Sequence, residues 1–137
     1  KLIDNLARKN LKKIGLDYQH GTGHGVGFFL NVHEGPQAIS KFNKVKICEG
    51  MVLSNEPGYY KKNKFGIRIE NLLYVRKKND KLRFENLTLA PIDKDLIDFT
   101  QLTKNEKDYL FKYNLLIYSK LSPYLNKNEK KWLVSFF

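Results

Sequence analysis

Hydrophobic residues at the start of the chain recur three and four positions apart, which is the spacing of one face of an α-helix. The apolar positions of this segment are Leu2, Ile3, Leu6, Ala7, Leu11 and Ile14. Gly15 follows directly and suits the left-handed conformation that ends many helices. The pattern therefore predicts a helix over residues 1–14.

The middle of the chain has shorter apolar runs, which are typical of β-strands separated by turns. Strands are predicted over residues 51–55, 66–76 and 82–90, and the segment 66–76 has the strongest strand pattern. Residues 28–32 form a further apolar run that we expect to be buried. A polar turn at residues 77–80 joins the last two strands.

Beyond Pro91 the pattern becomes helical again. Thr103 and Glu106 have the spacing of a capping box, in which each side chain binds a backbone amide of the other residue. Asn126 is suited to cap a last helix, and Pro123 separates the two helices. The apolar faces expected for these helices carry Tyr109, Leu110, Tyr113, Leu116 and Ile117, and then Trp132, Leu133 and Phe136.

These patterns predict an α+β protein in two parts. Residues 1–92 are expected to hold the first helix and the antiparallel strands, and residues 93–137 a helical C-terminal extension. A chain of 137 residues that is 42% hydrophobic can bury a core of its own. The chain starts at Lys1, inside the first helical pattern, and we expect it to be a piece of a longer polypeptide.

The chain is strongly basic, with a formal charge of +11 from 25 basic and 14 acidic residues. The lysines are spread along the whole sequence, so the basic stripe typical of nucleic-acid binding is not predicted. No apolar run reaches the roughly 18 residues of a membrane span, and no membrane association is expected. The single cysteine, Cys48, allows no internal disulfide and fits a reducing compartment such as the cytoplasm.

Candidate chemistry concentrates in two places. His20, His24 and His33 lie within fourteen residues and are interleaved with glycines, and Glu56 and Glu70 follow in strand-like surroundings. If the strands that carry the two glutamates pair antiparallel, their carboxylates can face one point. A mixed set of imidazole and carboxylate donors suits manganese, cobalt or zinc better than calcium or a thiolate-bound metal.

Glu70 lies beside an apolar segment, and a carboxylate next to a buried surface needs a partner. Arg68, two residues earlier and therefore on the same face of a strand, is one candidate. A metal ion is the other, and the residues alone leave both open.

The segments that carry these residues are Gly-His-Gly-Val-Gly at 23–27, Asn-Val-His-Glu-Gly-Pro at 31–36, Ser-Asn-Glu-Pro-Gly-Tyr-Tyr at 54–60 and Phe-Gly-Ile-Arg-Ile-Glu-Asn at 65–71. Together they resemble the C-terminal half of the catalytic domain of Xaa-Pro aminopeptidases, which are metallopeptidases of family M24 with the pita-bread fold. Leu-Thr-Leu-Ala-Pro-Ile at 87–92 and the helix near Trp132 resemble the same family. The helical tail favours the larger, three-domain aminopeptidase over prolidase or methionine aminopeptidase.

The resemblance implies a centre of two divalent metal ions, for which manganese is expected and cobalt or zinc are alternatives. His24, Glu56 and Glu70 match three of its ligands; Glu70 would bridge the ions and Glu56 would also transfer a proton. The other two ligands of the family are aspartates upstream of the histidine motif, and Asp4 and Asp17 lie outside such motifs. With three of five ligands, the isolated chain is expected to be inactive or to bind metal weakly.

The remaining site residues also follow from the resemblance. His20 and His33 match catalytic histidines that contact the substrate and stabilise the oxyanion. Arg68 matches an arginine that orients a carboxylate ligand in the catalytic group, and Tyr60 a tyrosine at the substrate site.

The implied activity is hydrolysis of the N-terminal peptide bond before proline, on peptides with proline in second position. A cytoplasmic location and a homodimeric parent are further expectations. Two alternatives stay open: a non-catalytic pita-bread protein that binds proteins or nucleic acid, and another M24 peptidase such as a prolidase.

Overall fold

The computed structural model describes residues 1–29 and 31–137. Two compact units are present, Lys1–Thr88 and Leu89–Phe137. The first holds one helix and the strands, and the second is helical. The boundary predicted after residue 92 stays a prediction.

The first unit begins with helix α1 (Leu2–Lys13). Gly15 ends it at φ 73°, and the amides of Gly15 and Leu16 bond back to the carbonyls of Lys12 and Leu11 at 3.1 and 3.0 Å. This pair of bonds is the Schellman motif, which needs a residue that tolerates positive φ. The helix end predicted at Gly15 is confirmed.

Antiparallel pairing joins the strands of the first unit in three small sheets. β1 pairs with β2, β4 pairs with β5, and β6 lies between β3 and β7. Asn79 and Asp80, both at positive φ, form the two-residue turn between the last two strands. The strands are β1 (Gly23–His24), β2 (Ala38–Ile39), β3 (Val52–Asn55), β4 (Gly58–Lys61), β5 (Phe65–Arg68), β6 (Asn71–Lys78) and β7 (Lys81–Asn86).

The prediction of a single strand over residues 66–76 is wrong, because the structure divides this segment into two strands. β5 ends at Arg68 and pairs with β4, whereas β6 begins at Asn71 and pairs with β3. Ile69 and Glu70 lie between them, where the chain passes from one sheet to the other. Periodicity cannot show this change of partner, because both strands are extended and apolar.

The core of the first unit is small. Ile39, Leu53 and Val75 are its buried hydrophobic members, and Ile3 and Met51 pack against them. Ile39, Leu53 and Val75 lie in β2, β3 and β6, and Ile3 lies in α1, so this cluster connects the helix with the β1–β2 sheet and the three-stranded sheet.

The apolar positions of α1 are exposed or half-buried. Leu2, Leu6 and Ile14 of α1 are 61–73% exposed, and the buried residues of that helix are Asp4 and Arg8. The inward side of α1 therefore combines this buried polar pair with the half-buried Ile3, Ala7 and Leu11.

The run 28–32 is not the buried segment that was predicted. Phe28 and Phe29 are 88% and 83% exposed, and Val32 is 59% exposed. Leu30 lies outside the described residues.

The second unit consists of α2 (Lys104–Leu121), α3 (Lys127–Val134) and two 3₁₀ turns, Lys94–Leu96 and Ser122–Tyr124. Thr103 and Asn126 form complete capping boxes with Glu106 and Glu129, so both predicted helix starts are confirmed. Buried Tyr113, Ile117 and Leu133 form its core. Trp132, expected on the buried face of α3, is instead 63% exposed.

Candidate metal centre

Two strand pairs bring the two glutamates to one place. β3 and β6 run antiparallel with Asn55 opposite Asn71. Glu56 is the residue directly after β3, and Glu70 is the residue directly before β6. Their side chains therefore start from opposite positions at the same end of the sheet. The antiparallel pairing that the sequence left as a condition for the two carboxylates to face one point is present.

His24 reaches the same place through a close approach of β1 to β3. The backbone amide of His24 donates to Ser54 Oγ at 2.9 Å, and Gly25 forms a bridge with Leu53. A Cβ atom at Gly23 would overlap the carbonyl oxygen of Ser54. Glycine at this position is therefore required for β1 to lie this near to the strand that leads to Glu56.

His24, Glu56 and Glu70 form a group that can hold a metal ion, with one ligand atom of each within 4.8 Å of the others. Nδ1 of His24 lies 2.8 Å from the carbonyl oxygen of Gly25, which only accepts hydrogen bonds. Nδ1 must therefore carry the proton, and the lone pair of the neutral ring is on Nε2. Nε2 lies 3.5 Å from Glu56 Oε1, so it points toward the carboxylates.

Two side chains orient the carboxylate of Glu56, which is only 12% exposed. Ser54 Oγ donates to Oε1 at 3.0 Å, and Arg68 Nη1 donates to Oε2 at 3.1 Å. The backbone amide of Glu56 donates to the carbonyl of Thr22 at 2.7 Å. Glu56 is thus held through its main chain and through both carboxylate oxygens.

Arg68 therefore pairs with Glu56, and the sequence hypothesis that it pairs with Glu70 does not describe this structure. Hydrogen bonding to Tyr60 and then to Glu56 raises the pKa of the Arg68 guanidinium. Glu70 itself is exposed. Burial therefore does not oblige Glu70 to have a partner, and its link to a metal ion rests on its position beside His24 and Glu56.

His20 and Tyr60 form a pair beside this group. Nδ1 of His20 lies 2.8 Å from the carbonyl of Gly21, so Nδ1 carries the proton of the neutral ring. Nε2 then accepts from the Tyr60 hydroxyl at 2.7 Å. In this tautomer the N–H of His20 and the hydroxyl proton of Tyr60 are both used within these contacts.

His33 returns to the site through the loop that follows β1. The amide of Glu34 donates to the carbonyl of Gly25 at 2.9 Å, and a Cβ at Gly25 would overlap the carbonyl of Glu34. This contact places the ring of His33 against that of His24, with ring centroids 4.1 Å apart. The predicted site residues therefore converge, including His33, which is nine residues from His24.

Sequence reasoning missed the polar residues that support this site. Ser54 and Thr22 are fully buried and bind its backbone and side chains. No motif distinguishes such hydroxyls from ordinary strand or loop residues. The pairing of Asp4 with Arg8 could have been predicted, because an acidic and a basic residue four positions apart on a helix can form an ion pair.

The donors fit divalent metal ions. One imidazole nitrogen and two carboxylates provide hard and intermediate ligands, the set that manganese, cobalt and zinc accept. The second nitrogen of His24 is bound to a backbone carbonyl, as is usual for histidines that ligate metals.

The sequence matches the model of metallopeptidase family M24 over residues 1–77, and the model of the C-terminal region of peptidase M24 over residues 80–135. The chain belongs to metallopeptidase family M24. The family predicted from the motifs is confirmed.

Curated relatives match this M24 chain along nearly all its length. Aminopeptidase P2 of Arabidopsis thaliana is 48% identical over 143 residues, covering 96% of this chain and 20% of the plant protein. A probable Xaa-Pro aminopeptidase P of Coprinopsis cinerea is 46% identical, covering 96% and 23%. The M24 chain thus spans about one fifth of the length of the curated relatives it matches.

Solved structures agree in fold. One is X-prolyl aminopeptidase from Caenorhabditis elegans, which is described as a cytosolic enzyme with a di-nuclear active site. It matches with a TM-score of 0.89 at 38% identity, and the match covers 97% of this chain and 23% of the worm protein. Prolidase from Pyrococcus furiosus has a TM-score of 0.52 at 35% identity, with coverage of 61% and 23%. The predicted α+β class and pita-bread fold are confirmed.

Proposed function

We propose that this chain forms the metal-binding part of an Xaa-Pro aminopeptidase, which removes the N-terminal residue from peptides with proline second. The observation that carries the proposal is the convergence of His24, Glu56 and Glu70, with ligand atoms within 4.8 Å of one another. The names of the matched relatives support the activity and the preference for proline.

His24, Glu56 and Glu70 would hold two divalent ions together with ligands from elsewhere in the whole protein, and we propose manganese as the metal. Bound metal of this kind lowers the pKa of water and polarises the scissile carbonyl. With three of the family's five ligands, residues 1–137 on their own are expected to bind metal weakly.

Glu56 has the contacts of a proton-transfer group. Ser54 and Arg68 bind its two oxygens, so the carboxylate is oriented before substrate arrives. We propose that Oε1, the oxygen nearer to His24, takes a proton from the attacking water and returns it to the leaving nitrogen. A general base is most effective when such contacts restrict its geometry.

His33 and the pair of His20 and Tyr60 would contact the peptide. His33 is exposed beside His24 and can donate a hydrogen bond to the carbonyl oxygen as negative charge develops there. His20 can do the same from Nε2 only after Tyr60 leaves that nitrogen and Nε2 takes up a proton. Tyr60, 42% exposed, is then available to bind the substrate.

Two other identities have less support. A non-catalytic relative would have no reason to keep all three donors converged, which is what the structure shows. The prolidase of Pyrococcus furiosus covers 61% of the chain, whereas the X-prolyl aminopeptidase covers 97%. The helical extension therefore favours an aminopeptidase of the larger type.

The location proposed for the whole protein is the cytoplasm, by analogy with the Caenorhabditis enzyme described as cytosolic. Within residues 1–29 and 31–137, none of the helices combines the length and hydrophobicity needed to cross a membrane. A homodimeric parent and the lack of a nucleic-acid partner stay predictions.

The deciding experiment measures bound manganese and hydrolysis of an Xaa-Pro peptide in the full-length polypeptide that contains this chain. We expect two ions per polypeptide and activity, both strongly reduced by Glu56→Ala. Glu85→Ala is the matched control, because this β7 carboxylate is 48% exposed and bonds only loosely, at 3.5 Å, to Arg76.

Activity that survives Glu56→Ala would contradict the proposal. The same metal measurement on residues 1–137 alone should give little bound manganese in both forms. Two tightly bound ions in the isolated chain, lost on Glu56→Ala, would refute the expectation that further ligands come from outside it.

A further inference from the structure

Arg8, which forms a buried ion pair with Asp4 within α1, links this helix to the loop that carries His20. Asp4 and Arg8 are 1% and 7% exposed, and Arg8 Nε donates to Asp4 Oδ1 at 2.9 Å. Together with Tyr18 and Thr22 they form a closed set of contacts, which we call the α1 clasp.

Arg8 binds the loop at three points. Nη1 donates to Asp17 Oδ1 at 2.7 Å and to the carbonyl of Tyr18 at 2.6 Å, and Nη2 donates to the carbonyl of His20 at 2.6 Å. These acceptors lie around one planar guanidinium group. A lysine ammonium cannot reproduce this geometry, because its donors radiate from a single atom.

Hydroxyl groups close the clasp on its other side. Thr22 Oγ1 donates to Asp4 Oδ1 at 2.6 Å, so its proton is used and the Tyr18 hydroxyl must donate to Thr22 Oγ1, at 2.5 Å. The guanidinium carbon of Arg8 lies 3.9 Å above the centre of the Tyr18 ring. Each member thus contacts at least two others.

The clasp continues directly into the candidate metal centre. Thr22 accepts, through its backbone carbonyl, the amide of Glu56 at 2.7 Å. His20 is held by Arg8 at its carbonyl, and its ring reaches Tyr60. The segment 18–22 is therefore bound to α1 through two carbonyls and two side chains, while the ring of His20 and the carbonyl of Thr22 face the site.

Stability alone is a weak reason for such an arrangement. A buried ion pair loses most of its Coulomb energy to desolvation, and apolar replacements of similar volume are often neutral or stabilising. Helix α1 contains leucines that could have been buried in place of the ion pair, but Leu2 and Leu6 are exposed on its surface. What apolar packing could not provide is a directional hold on particular carbonyl groups.

We propose that Asp4 and Arg8 are positioning residues, which fix His20 in the ring orientation and tautomer that bind Tyr60. The inference rests on the proposed function in one respect, namely that His20 contacts the substrate. The geometric part, that the clasp determines the state of the His20 ring, is independent of any activity.

The test compares Arg8→Lys with Lys12→Met. Lys12 is a matched control on the same helix, since it also lies beside Asp17, at 3.8 Å, but its side chain is 49% exposed whereas that of Arg8 is 8% exposed. Residues 1–137 contain only three histidines, so ¹⁵N resonances of the imidazole rings can be assigned and followed individually. Circular dichroism and the amide spectrum verify that each variant is folded.

We expect the two His20 nitrogens to give separate protonated and unprotonated signals in the unmodified chain and in Lys12→Met. In Arg8→Lys these signals should move toward each other, because the ring exchanges between tautomers, while those of His33 stay in place. Unchanged His20 signals in a folded Arg8→Lys chain would overturn the proposal.

A gentler variant covers the case in which Arg8→Lys does not fold. Tyr18→Phe keeps the ring beneath Arg8 and removes only the hydroxyl bond to Thr22, so a smaller shift of the same His20 signals is expected. If the isolated chain does not fold, the same spectra are recorded on the full-length polypeptide with only these residues labelled. A Tyr18→Phe spectrum identical to that of the unmodified protein counts against the clasp.

Kinetics in the full-length polypeptide separate this inference from the proposed function. Arg8 also sets the position of His20 through its carbonyl, and misplacing a reacting group by about 1 Å can cost a factor of about 100. Arg8→Lys should therefore lower kcat by about that factor, even though it also releases Nε2 from Tyr60, while KM and bound manganese change little. A full-length protein that has no peptidase activity, yet shows the His20 shift, would refute the proposed function and leave the clasp standing. Normal kcat together with a shifted His20 would refute the catalytic part of the inference.

Discussion

The first compact unit of this chain buries polar residues beside its apolar core, whereas the second buries apolar and aromatic residues. In Lys1–Thr88, four of the most buried residues are polar: Asp4, Arg8, Thr22 and Ser54. In Leu89–Phe137, the buried cluster consists of Tyr113, Ile117 and Leu133, and the polar capping residues lie at the exposed starts of the helices.

This difference reflects what each unit has to achieve. The helical unit needs only to exclude water from an apolar cluster, and many side-chain combinations can do that. The first unit has to hold imidazole and carboxylate groups in defined directions, which requires hydrogen bonds at fixed angles. Polar burial is expensive, so it is found where directional contacts are needed.

The largest expected effect tests the polar interior directly. Asp4→Ala leaves the Nε group of Arg8 and the hydroxyl of Thr22 without their acceptor, and should lower the free energy of unfolding by about 3–5 kcal/mol. Leu6→Ala, at a site 61% exposed on the same helix, should cost less than about 0.5 kcal/mol. Urea denaturation of both variants measures the two losses in free energy of unfolding. Equal losses would show that the buried Asp4 contributes no more to stability than an exposed leucine does.

The apolar interior of the second unit should respond in the ordinary way. Ile117→Ala creates a cavity at a fully buried position and should cost about 3 kcal/mol. Leu115→Ala, on the same helix and 49% exposed, is the control and should cost much less. Manganese binding by the full-length polypeptide should be unaffected by either change; a loss would mean that the helical unit supports the site.

Helix capping should give a smaller and similar effect at both helix starts of the second unit. Thr103→Ala and Asn126→Ala each remove a side-chain acceptor for first-turn amides and should cost about 1 kcal/mol. Lys127→Ala, one position into α3, keeps the cap and should be close to neutral. Thermal denaturation distinguishes the three variants, and a neutral Asn126→Ala would show that packing alone determines where α3 begins.

The smallest effect is a dependence on pH. Burial by itself would raise the pKa of Asp17, but hydrogen bonds from Arg8 and from the amide of Tyr18 lower it below the usual value of 3.8. The Asp17 carboxylate therefore takes up a proton more readily in the unfolded chain than in the folded one. The stability that charged Asp17 gives the folded state is complete above about pH 4 and is lost as pH falls through the pKa of Asp17 in the folded state. Since the carboxylate is 39% exposed, the contribution is modest.

Stability measured from pH 6 to pH 2 should accordingly decline less steeply for Asp17→Asn than for the unmodified chain. Part of the decline should persist, because hydrogen bonds from Thr103 lower the pKa of Glu106 in the helical unit as well. Identical curves for the two proteins would show that Arg8 does not stabilise the charged form of Asp17.

Local rules accounted well for the ends of elements. Gly15, Thr103 and Asn126 are positions where one residue decides the backbone hydrogen bonds of a helix end, and each prediction is confirmed. The family was also predictable, because its motifs are contiguous in the sequence and match family models over residues 1–77 and 80–135.

Burial was predicted less well wherever it depends on distant partners. Hydrophobic spacing indicates that α1 has an apolar face, but it does not indicate that the helix turns Asp4 and Arg8 inward. The same limit applies to Phe28 and Phe29, since hydrophobicity describes a preference and not the presence of a neighbour.

The sequence by itself determined the helix caps, the family and the candidate metal-donor residues. These properties depend on residue types a few positions apart, within reach of local backbone hydrogen bonds or of a contiguous motif. Only the tertiary structure decided that β5 and β6 separate at Glu70, that Arg68 pairs with Glu56, and that His20 donates to a carbonyl and accepts from Tyr60. Those outcomes depend on which strands and side chains meet across long stretches of sequence, and periodicity carries no information about that choice.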